Sequence, residues 1–110
     1  MVKHNVTTAF GLPNFHVVNS HGIVRGITVR SRSIVGNFFA AIESLFGGNI
    51  TLYADLCERA REDAYDRMCD HATECGANAI IGVRYESNDV MAGITEVLCY
   101  GTAVTVEPVQ

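Results

Sequence analysis

Hydrophobic positions along the chain fall into two periods. Within residues 15–30, Ile23, Arg25, Ile27 and Val29 interleave with Val24, Gly26, Thr28 and Arg30. This period of two, rich in β-branched residues, predicts extended structure. Pro13-Asn14 and the run Asn19-Ser20-His21-Gly22 carry turn chemistry. The segment is therefore expected to be a short strand over 15–18, a turn, and a longer strand over 22–30. Gly26 inside that strand points to a bulge or to close approach of another backbone. Over 33–46 the period becomes helical, with Ile34, Phe38, Ile42, Leu45 and Phe46 on one face. Gly47-Gly48 stops this helix, because glycine takes the left-handed cap conformation freely.

A longer helix follows. Tyr53, Leu56, Cys57, Ala60, Ala64, Met68 and Cys75 form an apolar stripe at steps of three, four and seven. Asp55, Glu58, Arg59, Arg61, Glu62, Asp63, Asp66, Arg67 and Asp70 form its solvated face. Glu58 with Arg61, and Asp63 with Arg67, are spaced to pair along the helix. Asn49 or Thr51 can cap its start, Gly76 stops its end, and Ala60 and Ala64 would let it lie close on a sheet. Residues 79–86 alternate again, 87–93 read as a polar connection, and 94–106 form a last strand ended by Glu107-Pro108.

This order predicts a single α+β domain over residues 1–110, with one long helix on a three-stranded antiparallel sheet in two layers. The sheet face away from that helix is rich in Val, Ile, Leu and Tyr. The short 33–46 helix is too small to cover it, so a second copy of the chain is expected to do so.

Composition sharpens that expectation. Only 18% of the 110 residues are charged, 48% are hydrophobic, and mean hydropathy is +0.17. The usual charged share of a soluble domain is about 25%. A small monomer buries only about 60–70% of its unfolded surface, so an apolar excess of this kind suits a homo-oligomer. The net charge of −4, with scattered bases, argues against nucleic acid and against adhesion to anionic lipid. No stretch reaches the ~20 apolar residues of a membrane span, and residues 1–8 lack a secretory apolar run. The expected location is the cytoplasm, with the four cysteines as thiols.

Candidate chemistry is sparse. Cys69-x-His71-x-x-x-Cys75 offers soft-metal donors. On a helix, however, His71 and Cys75 share a face while Cys69 lies about 200° away. Two core thiols and a surface histidine is therefore the favoured reading. His4, His16 and His21 could join a site, His21 being placed in a turn with an exposed ring, and Cys99 alternates onto a buried sheet face. Ser20-His21 is no nucleophile motif. Gly47-Gly48-Asn49 lacks the lysine and spacing of a phosphate loop, and Gly76-Ala77-Asn78-Ala79 reads as a tight helix-to-strand turn. The amphipathic 33–46 segment lacks the basic face of a membrane-surface helix. No residue is assigned to catalysis or cofactor binding, and the identity of any metal ligand stays open.

Several pieces, in order and spacing, resemble one known family. They are Gly22-Ile23-Val24-Arg25-Gly26, Asn37-Phe38-Phe39-Ala40-Ala41-Ile42 leading to Gly47-Gly48, Tyr53, Ala60-Arg61-Glu62, Gly76-Ala77-Asn78-Ala79-Ile80-Ile81-Gly82-Val83, and Gly101-Thr102-Ala103-Val104. Together they resemble the YbjQ family, also called UPF0145, over residues 7–106. The resemblance implies a dodecin-like β-α-β-β subunit, a homopentameric ring and the label "putative heavy-metal-binding", and supplies no catalytic residue. Relatives usually have an aliphatic residue where Cys57 and Cys75 stand and a small one at Cys69, so it implies no family-wide thiol site. The expectation is an uncharacterised cytoplasmic homo-oligomer, a pentamer, without enzymatic activity and binding a metal or small ligand at subunit interfaces. The alternatives are a small enzyme with an intersubunit site and a membrane-surface scaffold.

Overall fold

The computed structural model describes residues 5–31, 50–91 and 94–110, with side chains at 5–30, 54–55, 57–91 and 94–110. The elements are β1 (Asn5–Val6), β2 (Phe15–Ser31), α1 (Ile50–Glu74), β3 (Ala79–Met91) and β4 (Ile94–Pro108). The helix expected over 33–46, its Gly47-Gly48 stop and the Asn49 cap lie outside the described residues, as do the side chains of Thr51, Tyr53 and Leu56.

The fold is α+β, with α1 packed on one sheet, but the sheet has four strands rather than three and is mixed rather than antiparallel. Its order is β1-β3-β4-β2. β4 pairs antiparallel with both neighbours, and β1 runs parallel to β3. A two-residue strand has no period to read. β1 is held by its pairing with β3 and by Thr7 N–H donating to the Ile80 carbonyl at 3.0 Å. The chain beyond it stays on the same edge, where Gly82 N–H reaches the Ala9 carbonyl at 2.8 Å.

The expected hairpin over 15–30 is instead one strand of 17 residues. Its register against β4 slips between Val17 and Asn19 and between Ser20 and Gly22. Val18 and His21 are thus extra residues in two successive bulges. The turn-forming residues there bend the strand without reversing it, with Gly22 at φ +92°. β3 likewise runs past 86 to Met91, through the stretch expected as a polar connection. Pairing with β4 holds it, aided by Thr95 Oγ1 donating to Asp89 at 3.0 Å.

α1 lies antiparallel to β2 on the face of Val24, Gly26 and Thr28, all buried. Gly26 permits this packing: a Cβ there would collide with the Ala64 carbonyl and the Met68 amide. Ala60, Ala64, Met68 and Ala72 form the buried side of the helix. Ala72 completes the stripe between Met68 and Cys75, while Cys57, expected in it, is exposed. Nor do the charges pair along the helix as expected. Asp63 reaches Arg30 of β2 at 3.0 Å, Arg67 donates to the Ile27 carbonyl, and Arg61 sits over the Tyr85 ring at 6.0 Å. The sheet offers these side chains partners with better geometry than the next helical turn does.

The main core joins Val24, Ala64, Met68, Cys69, Ala72, Ile80, Val83, Cys99 and Ala103 between helix and sheet. A smaller core of Ala79, Val104 and Val106, with Leu12 and Ile81 packed against it, occupies one end of the opposite face. The rest of that face is mixed. Ile23 is 75% exposed and Val29 54%, and by strand register Ile27, Leu98, Tyr100, Arg25, Arg84 and Glu86 share their side.

Candidate functional site

The most distinctive chemistry lies where α1 crosses β3 and β4. Tyr65 and Cys69 are one helical turn apart and so share a face. Cys99 alternates inward along β4, and the register places Tyr85 of β3 directly beside it. Cys69 is buried and Cys99 fully so. The Cys99 thiol donates to the Met68 Sδ at 3.6 Å. The Tyr65 hydroxyl approaches Cys69 and the Tyr85 hydroxyl approaches Cys99, and Cys69 lies in the same buried cluster as Cys99 and Met68. Two sulfurs in contact, a third in the same buried cluster and two phenols thus come from three elements.

Burial sets the proton affinities. It pushes the Cys99 thiol up to about 11, against a small opposing effect of the Tyr85 hydroxyl. It raises Cys69 likewise, with Asp66 and Asp70 adding to the shift. The Tyr85 hydroxyl is pushed up to about 12, and Tyr65 is also raised, burial again being the main cause. At neutral pH both thiols therefore hold their protons, which makes them weak nucleophiles. In front of the tyrosines is a cleft of about 420 Å³ lined by Glu58, Arg61, Glu62, Tyr65 and Tyr85.

The residues singled out by sequence are otherwise scattered. His71 is half-buried and accepts the Arg25 N–H at Nδ1, 3.2 Å away. Cys75, just past the helix end, is half-buried and packs against the main core. His21 is a bulge residue in β2, not a turn residue, and its Nε2 lies 2.8 Å from Thr105 Oγ1. His16 and Ser20 are exposed, and His4 lies outside the described residues. Among the described residues no three of His, Cys, Asp and Glu come together as a metal cluster. Gly76-Ala77-Asn78-Ala79 is the expected turn: Gly76 N–H bonds the Thr73 carbonyl and Ala77 N–H the Ala72 carbonyl, the two bonds of a Schellman cap. Sequence reasoning passed over Tyr65 and Tyr85. The four-residue step from Tyr65 to Cys69 was a visible signal, whereas the Tyr85–Cys99 pairing needs the strand register.

Residues 5–107 match the sequence profile of a family, YbjQ, whose description reads "Putative heavy-metal-binding". A UPF0145 protein of Chromobacterium violaceum is 64% identical over 103 residues, covering 94% of this chain and 88% of its own. The chain belongs to the YbjQ (UPF0145) family. UPF0145 proteins of Burkholderia mallei and Burkholderia thailandensis are each 61% identical over 99 residues, 90% of this chain and 89% of theirs. Among solved structures, a protein of unknown function of the DUF74 family from Pediococcus pentosaceus shares the fold, with a TM-score of 0.62 at 14% identity, covering 94% of this chain and 98% of that one. No helix among the described residues is long and apolar enough to cross a membrane.

Proposed function

We propose that this YbjQ-family protein is a non-enzymatic homo-oligomer, a closed ring of five, that holds a metal ion rather than transforming a substrate. The observation that carries the assembly is the open sheet face, where Ile23 is 75% exposed and Val29 54%, with Ile27, Leu98 and Tyr100 on the same side by strand register. Ile23 and Val29, exposed on the open sheet face, are the apolar centre of such a contact.

The metal part of the reading is supported by the family description and by the convergence of sulfur donors. Light scattering on the untagged protein at micromolar concentration tests the assembly. A mass five times that of the chain is expected, and a monodisperse monomer overturns it. Elemental analysis of the same sample tests the metal, and a content near zero under reducing conditions removes that half of the reading.

A further inference from the structure

We propose that Cys69, Cys99 and Met68 form a binding site for a soft, thiophilic cation of the Cu(I) class, beside the cleft that Tyr65 and Tyr85 line. The site deepens the metal-binding reading above and rests on it.

The first argument is the sulfur geometry. Cys99 Sγ and Met68 Sδ are 3.6 Å apart with a single proton between them, so a cation entering there takes that proton's place. With a metal–sulfur bond of about 2.3 Å, two sulfurs of a tetrahedral or trigonal site lie ~3.8–4.0 Å apart. The side chains need to part by only a few tenths of an ångström. Cys69 follows Met68 on α1 and lies in the same buried cluster as Met68 and Cys99.

The donor set selects the ion. Two thiols and one thioether are soft ligands that favour Cu(I). Zinc wants four donors of the thiolate, imidazole or carboxylate kind, and no three of His, Cys, Asp and Glu meet among the described residues. The neighbouring cleft carries two carboxylates, Glu58 and Glu62, against the one guanidinium of Arg61, and its two tyrosines reach back with their hydroxyls to Cys69 and Cys99. Binding conserves charge simply. Cys69 and Cys99 each surrender a proton to solvent, Met68 gives only a lone pair, and nothing is oxidised or reduced. A coordinated thiol is deprotonated by the metal itself, so the protonated resting state is no obstacle. The occupied site has two thiolates and one monovalent cation, a net charge of −1.

The test is an anaerobic titration of the reduced, untagged full chain with Cu(I) against a competing chelator, followed by X-ray absorption of the loaded wild type. One Cu(I) per chain, two protons released and a shell of three sulfurs are expected. Cys69→Ser and Cys99→Ser should each weaken binding by about 100-fold or more, and Met68→Leu, which keeps the core filled, by about tenfold; even outer-sphere losses cost ~10–100-fold. Cys57→Ser should change nothing. Wild-type affinity in both cysteine variants, a nitrogen or oxygen shell in the wild-type spectrum, or loss of copper in Cys57→Ser overturns this site while leaving the metal reading standing. A wild type that retains neither copper nor any other metal overturns both. The wild-type spectrum decides the matter even if a cysteine variant fails to fold.

Discussion

Gly26 and Thr28 sit two residues apart on the strand face beneath α1 and act in opposite directions. A methyl group at Gly26 would meet helix backbone at Ala64 and Met68, which cannot swing aside as a side chain can. Gly26→Ala is therefore expected to destabilise the fold by about 1–3 kcal/mol or more, read as a lower urea midpoint. Among the described residues, the fully buried Thr28 hydroxyl has no hydrogen-bond partner. A desolvated polar group of this kind costs about 1–3 kcal/mol, so Thr28→Val should leave stability unchanged or raise it. A clear loss on that substitution would show a hidden partner. Cys99 adds a pH dependence. The unfolded thiol releases its proton near 9, whereas the folded one holds it to about 11. Stability from this group is complete below pH 9 and lost as pH rises toward 11. Urea midpoints should fall across that window, and less steeply in Cys99→Ala. Of these residues, Gly26 was legible in sequence because glycine inside a β pattern has few other uses. Thr28 was not, since alternation alone does not say which of two β-branched faces meets the helix.

At the scale of elements, the helix end is the clearest case of local chemistry fixing structure. Gly76 has φ +82° and closes α1 with both Schellman bonds. Two residues on, Asn78 clasps β4, its Oδ1 accepting the Val106 N–H at 2.8 Å and its amide donating to the Val106 carbonyl at 3.0 Å. Gly76→Ala should cost about 1 kcal/mol through the left-handed backbone alone, visible as a lower melting temperature with unchanged circular dichroism. The cap, the long helix and both C-terminal strands could be read because their signals are local. What could not be read depended on partners distant in sequence. The stretch Asn19-Ser20-His21-Gly22 has turn residues but becomes bulges because β4 is long enough to pair on either side of it. Residues 87–91 are polar yet extended for the same reason. β1 has no pattern of its own and exists only as an addition to β3. The candidate site divides likewise: Cys99 was placed inside by alternation and Cys69 as a small apolar thiol, but their arrangement with Met68, Tyr65 and Tyr85 is a product of register and helix position.

At the scale of the molecule, one helix lies on a four-stranded sheet whose far face leaves Ile23 and Val29 exposed. β2 is a sheet edge, and such edges usually template the addition of foreign strands. Here His71 takes up the Arg25 N–H and Arg67 the Ile27 carbonyl, two main-chain groups that β4 leaves unused. The double variant Arg67→Ala, His71→Ala should keep its circular dichroism yet gain thioflavin-positive aggregates on standing; a variant as quiet as the wild type would deny the helix this role. The bulges at Val18 and His21 spoil the regular spacing of the other half of the same strand. A polypeptide made in many identical copies, each with a ribbon border 17 residues long, thus comes with its own stoppers against fibre growth, and orderly neighbours are left to meet across the flat of the sheet.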